Sequence, residues 1–119
     1  MTDRELLELA AKAAGIEGSQ CDWKTALRVI RERGVAPVLW NPLADDGDSR
    51  RLQVALTIDL RFGVSDNFGP YVHARSEVRR DDFIDLHECY QWVSLHPDAN
   101  SAARRAVLEV AAAIGKAMP

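Results

Sequence analysis

Trp40-Asn41-Pro42-Leu43-Ala44-Asp45-Asp46-Gly47-Asp48 decides how the middle of this chain is read. An aromatic anchor, a turn-forming Asn-Pro and an apolar plug lead into three carboxylates, Asp45, Asp46 and Asp48. An Asp at a helix N-cap accepts hydrogen bonds from orphan amides, and further carboxylates in the first turn suit the helix dipole. The stretch therefore predicts a strand end, a tight corner and an acidic helix start. It also arbitrates the segment beyond it, where two periods conflict. Leu52, Val54, Leu56, Ile58, Leu60 and Phe62 alternate as a strand would, while Leu52, Ala55 and Leu56 make a helical face. The acidic start favours a helix from about Gly47 to about Leu56, passing directly into a strand from Ile58 to Val64.

Both ends of the chain are helical. Thr2 followed by Glu5 is a capping box, Leu6, Leu9, Ala10 and Ala13 recur at helical spacing, and Gly15 stands where a left-handed terminator is wanted. Pro97-Asp98 starts a long helix in which Ala103, Ala106, Val107, Val110, Ala111 and Ile114 form one apolar stripe, with Arg105 and Glu109 on the wet side. Between the ends, Ala26 to Arg31 and Val35 to Trp40 read as two short strands joined around Glu32-Arg33-Gly34. A short helix over Trp23 to Arg33 fits the same residues. Asp66-Asn67 and Gly69-Pro70 punctuate turns, and Tyr71 to Val78 reads as a returning strand. Phe83 to Val93 reads either as a third strand after an Asp81-Asp82 turn or as a short helix capped by those aspartates. The expected class is α+β, a small mainly antiparallel sheet flanked by helices in the order α-β-β-α-β-β-(β)-α, with residues 1–119 as a single domain.

Composition narrows the function classes. The 119 residues are 47% hydrophobic and 28% charged, as in an ordinary soluble globular chain. A net charge of -3 and the absence of any long basic run argue against a nucleic-acid surface. Two cysteines, Cys21 and Cys89, are too few for a disulfide framework, and no apolar run reaches the length of a bilayer span. These features predict reduced thiols, a cytoplasmic location and no membrane.

Three segments carry a family resemblance. They are Asp3-Arg4-Glu5-Leu6-Leu7-Glu8-Leu9-Ala10-Ala11-Lys12-Ala13-Ala14-Gly15-Ile16, the Trp40 to Asp48 corner with Arg51-Leu52 beyond it, and Asp98 through Arg104-Arg105-Ala106 to Ala111-Ala112-Ala113-Ile114-Gly115. Together they cover under half the chain. In them it resembles small phage and prophage proteins of unknown function, grouped under the phage alpha-beta-alpha sandwich domain. The resemblance implies a sheet flanked by helices and a phage or prophage origin, and it implies no activity.

No catalytic constellation is visible, so the chain reads as a non-enzyme without a cofactor. Asp45, Asp46 and Asp48 are oxygen donors of the kind that hard cations take, but the calcium-loop spacing fails because its first ligand would be Pro42, and capping accounts for them. His87-Glu88-Cys89, with His73 and His96 elsewhere, offers metal-competent side chains without paired-ligand spacing, and no local signature marks Cys89 and a histidine as a nucleophile pair. Glycine-rich phosphate loops are absent. Trp40 is expected in the core. Trp23 and Trp92, with Arg79 and Arg80, are the candidate partner contacts, since aromatic and arginine side chains are enriched in interfaces. The leading expectation is an accessory protein that binds a host or phage protein. The alternative is a nucleotide or metal binder with Arg75, Arg79 and Arg80 as anion contacts. Open sheet edges and the alanine stripe of the last helix make a homodimer the default assembly, with packing of the stripe on the chain's own sheet as the opposing reading.

Overall fold

A computed structural model describes residues 1–20, 26–29, 38–79 and 81–119. Its class is α+β, with antiparallel sheets throughout. In chain order the elements are α1 (Asp3–Ala14), β1 (Gly18–Gln20), β2 (Leu27–Val29), β3 (Val38–Trp40), α2 (Asp46–Ala55), β4 (Asp59–Ser65), β5 (Gly69–Arg79), β6 (Ile84–Trp92), a single 3-10 turn (Val93–Leu95) and α3 (Ala99–Ala117). Strands β1, β2 and β3 form one sheet in that order, and β4, β5 and β6 form the other.

The local rules that predicted the helices hold at atomic detail. Thr2 caps α1 through its hydroxyl, which accepts from the amide of Glu5. Gly15 ends it at φ 69°, with Gly15 N donating to Lys12 O and Ile16 N to Ala11 O. That pair of bonds is a Schellman closure. Helix α2 closes in the same way, with Thr57 N donating to Val54 O and Ile58 N to Gln53 O. Here the left-handed residue is Thr57, at φ 52°. A β-branched residue is strained in that region. The closure turns the chain straight from helix into β4, as the acidic start implied.

Helix α3 is the centre of the molecule. Val107, Leu108, Val110, Ala111 and Ala112 are buried on it, because α1 packs along one side while β5 and β6 cover another. The α1–α3 approach is so close that a Cβ at Gly115 would stand 1.9 Å from the carbonyl oxygen of Leu9. The alanine stripe thus packs inside the chain, on its own helix and sheet, which is the second of the two readings open for it. Arg105 ties the two helices at their polar rim, donating to Asp3 at 2.6 Å and to Glu109 at 3.0 Å. Burial works against its charge, but these carboxylates outweigh that and hold its pKa above the ordinary value.

Two readings change and one open reading is decided. Strand β1 is an addition, a three-residue strand paired to β2 from Gly18↔Val29 to Gln20↔Leu27, too short for a periodic signal. Gly69-Pro70 opens β5 and does not form the turn; the turn is Asp66 to Phe68, and Gly69 takes the left-handed step at φ 77°. Of the two readings of Phe83 to Val93 the strand holds: β6 runs Ile84–Trp92, no α-helix forms there for Asp81 and Asp82 to cap, and Val93 already belongs to the 3-10 turn. The strands read over Ala26 to Arg31 and Val35 to Trp40 appear as β2 and β3, with the rest of those spans, and the alternative helix from Trp23, outside the described residues.

Candidate binding face

The β4–β5–β6 sheet has two unlike faces. Opposed residues of antiparallel strands share a face, so the register defines each one. Val72, Ala74, Ser76 and Val78 of β5 look toward α3, and Val72, Ala74 and Ser76 are buried. The alternate residues make the outer face, on which no described helix packs. It reads in rows across the strands: Gly63, Tyr71, Trp92; then Arg61, His73, Tyr90; then Asp59, Arg75, Glu88; then Glu77 and Leu86; then Arg79 and Ile84.

The first two rows form one aromatic cluster. Trp92 meets Tyr71 edge-on at 6.0 Å between centroids, Tyr71 meets Tyr90 at 5.8 Å, and Tyr90 stacks on the His73 ring at 4.1 Å. Phe68, lifted by the turn that Gly69 permits, adds a fourth contact to Trp92 at 5.1 Å. Gly63 makes the arrangement possible. A Cβ there would stand 2.5 Å from Cζ and Oη of Tyr71, so the tyrosine ring lies across the bare backbone of the neighbouring strand. His73 Nε2 is further held by Glu88 at 2.9 Å. Tyr90, Leu86 and Ile84 are each about half exposed, so the face carries apolar surface along its length.

The charges on this face balance. Arg61, Arg75 and Arg79 stand among Asp59, Glu77 and Glu88, and Arg75 donates to Glu77 at 2.6 Å. An alternation of that kind offers a polyanion no continuous positive field. It equally weakens the anion-binding role considered for Arg75 and Arg79. Arg75 is engaged by a carboxylate, and Arg79 lines a shallow hollow with Asp81, Asp82 and Phe83, whose carboxylates repel an anion.

The residues singled out from sequence are dispersed. Trp92 and Arg79 lie on the outer face, at opposite ends of it. Trp23, Arg80 and Cys21 lie outside the described residues. Trp40 is buried opposite Leu27, as expected. The acidic corner is a structural device. Asp45 caps α2, accepting from Gly47 N at 2.7 Å and Asp48 N at 3.2 Å. Asp48, 1% exposed, accepts from Asn41 N at 3.0 Å and from Arg51 at 2.7 Å, folding the corner back on the helix. Asp46 pairs with Arg104 at 2.6 Å, and the same guanidinium donates to Leu43 O and Ser101, which clamps the corner to α3. Each carboxylate is therefore committed to a different partner. Among the described residues no three His, Cys, Asp or Glu side chains gather as a cation site.

Cys89 is a free thiol on the helix side of β6, half-buried, with Gln91 Nε2 at 3.3 Å. Burial pushes its pKa up, the Gln91 contact lowers it less, and Glu109 adds to the rise. A nucleophilic cysteine needs the opposite shift. His87 lies on the same side, with its Nε2 buried and without a hydrogen-bond partner, and His96 meets Gln91 at 2.9 Å. These groups do not form a nucleophile and base pair.

Sequence reasoning took Trp92 alone from the aromatic cluster and missed Phe68, Tyr71, His73 and Tyr90. The signal was present as alternation, in Tyr71-His73-Arg75-Glu77 and in Ile84-Leu86-Glu88-Tyr90-Trp92. No helix among the described residues is long and apolar enough to cross a membrane. No protein-family model matches the chain, and no curated protein matches it either.

Proposed function

We propose that this chain is a phage- or prophage-encoded accessory protein that acts without catalysis, by docking a protein partner on the outer face of the β4–β5–β6 sheet. The origin rests on the resemblance of the three segments quoted above. The mode of action rests on one observation, the linked cluster of Phe68, Trp92, Tyr71, Tyr90 and His73 on a sheet face that no described helix covers. The few residues that carry most of the binding energy at protein interfaces are enriched in tryptophan, tyrosine and arginine, and a polar rim with balanced charge gives register. Contiguous exposed apolar surface marks interaction sites in folded proteins.

The experiment is affinity capture from bacterial host lysate with wild-type protein and with Tyr90→Ala, Trp92→Ala and Ile84→Ser. A protein retained by the wild type and lost from those three supports the reading, provided a Val54→Ala control on α2 still retains it. A partner retained equally by all of them places the contact elsewhere and rejects this face.

A further inference from the structure

We infer that β4 is a homodimerisation edge: two copies pair antiparallel along it, about a two-fold axis at Phe62, and join their sheets into one. This concerns assembly and stands independently of the partner that the outer face binds.

Strand β4 ends its sheet, paired with β5 on one side and with no described strand on the other. Helix α3 lies over β5 and β6; on the helix side of β4, Leu60 still packs against the core, while Phe62 and Val64 are left exposed toward the edge. Phe62 is 64% exposed and Val64 76%. Soluble proteins guard free edges with proline, charged side chains, bulges or covering elements. Asp59-Leu60-Arg61-Phe62-Gly63-Val64-Ser65 contains no proline, and its two charges, Asp59 and Arg61, both lie on the outer face, which leaves the helix side Leu60-Phe62-Val64 without one.

The register follows from the sequence of the strand. Two copies of β4 overlap fully only when Phe62 faces Phe62. Leu60 then faces Val64, Arg61 faces Gly63, and Asp59 faces Ser65. Every apolar side chain on the helix side meets an apolar one, and no like charges are opposed. Slipping the centre to Arg61 sets that arginine against its own copy. Slipping it to Gly63 shortens the ladder and opposes glycine with glycine. The other free edge, β6, behaves differently: its full overlap from Ile84 to Trp92 centres on Glu88 and sets two carboxylates face to face. Self-pairing is therefore specified at β4 and opposed at β6.

The second copy also completes the aromatic row. Tyr71 lies across Gly63, with Cζ and Oη nearest the glycine, so its hydroxyl end reaches toward the β4 edge. In the Phe62-centred register the second copy's Arg61 stands opposite Gly63, on the same outer face. A guanidinium beside an aromatic ring is attractive. Gly63 leaves room for both.

Light scattering on the purified chain tests this. The expected mass is twice that of the 13.2 kDa chain at tens of micromolar. Phe62→Lys, which opposes two ammonium groups at the axis, is expected to weaken association by about a hundredfold. Val64→Lys is the second variant, and circular dichroism checks that each stays folded. Directly opposed residues of antiparallel strands stand about 4.5 to 5.5 Å apart at Cα, within disulfide reach. In a Cys21→Ser, Cys89→Ser background, Phe62→Cys should therefore oxidise to a covalent dimer, whereas Leu60→Cys, facing Val64, should not. If Phe62→Lys fails to fold, Val64→Lys and the cysteine pair decide. A single-chain mass at high concentration, a dimer indifferent to both lysines, self-linking at Leu60→Cys, or a ladder of larger species overturns the inference.

Discussion

Gly115→Ala is the sharpest test of how this fold is packed, because two effects of known size oppose each other. Alanine is favoured over glycine inside a helix by about 1 kcal/mol, so on a solvated helix the change would stabilise. Here the added methyl would stand 1.9 Å from Leu9 O, 2.8 Å from Leu9 C and 3.3 Å from Leu9 Cα. All three are backbone atoms of α1, and no rotamer change relieves them. The helices must separate by roughly 1 Å or more, loosening Leu6, Leu7, Ala10 and Ala11 of α1 in the common core. Overpacking of this kind costs about 1–3 kcal/mol, and contact with backbone places it toward the upper end. The net expectation is a loss of about 1–2 kcal/mol after the propensity gain is subtracted. For a chain of this size that lowers Tm by about 4–8 °C. Thermal melts followed at 222 nm, with urea titrations for the free energy, measure it, and Gly115→Val should cost more than Gly115→Ala. A Gly115→Ala protein as stable as wild type, or more so, would show that α1 and α3 do not meet at this point.

Thr57→Asn should raise stability by about 0.5–1 kcal/mol, since asparagine tolerates the left-handed step that ends α2 better than a β-branched residue does; an unchanged or lower urea midpoint refutes the strain at φ 52°. Asp45→Ala should cost about 0.5–2 kcal/mol by removing the cap, with no dependence on calcium or magnesium; a wild-type Tm that climbs with either cation, and does not in the mutant, would make the corner a metal site. Arg104→Met should cost about 2 kcal/mol, leaving Leu43 O and Asp46 without their donor; a loss near zero would mean that the corner does not depend on α3. Cys89 should alkylate more slowly than a peptide thiol at neutral pH, because burial raises its pKa and lowers the thiolate fraction, with the rate climbing only as pH passes above the ordinary thiol value; fast labelling of native protein near neutrality, located at Cys89 by peptide mapping, would contradict that burial.

What the sequence determined by itself is local. The capping residues at Thr2, Asp45 and Asp98, the glycine stop at Gly15 and the handover from α2 to β4 all depend on groups within a few residues of one another. Their physics is complete in a short peptide, so position and residue type suffice to read them. The same holds for the alternation of β5 and for the assignment of the three aspartates to a helix start, whereas Phe83 to Val93 fitted strand and helix alike until its pairing with β5 decided it. The tertiary structure decided what depends on register and on which elements meet. Tyr71 faces Trp92, and His73 faces Tyr90, only because β5 and β6 align as they do, and a slip of β6 by one residue would send Tyr90 and Trp92 toward α3. The alanine stripe of α3 is equally suited to a partner chain or to its own core, and the closeness of Leu9 to Gly115 is what assigns it to the core. Which face of the sheet α3 covers follows from where that helix lies, a long-range choice made by burying the most apolar surface that no window of neighbouring residues can encode.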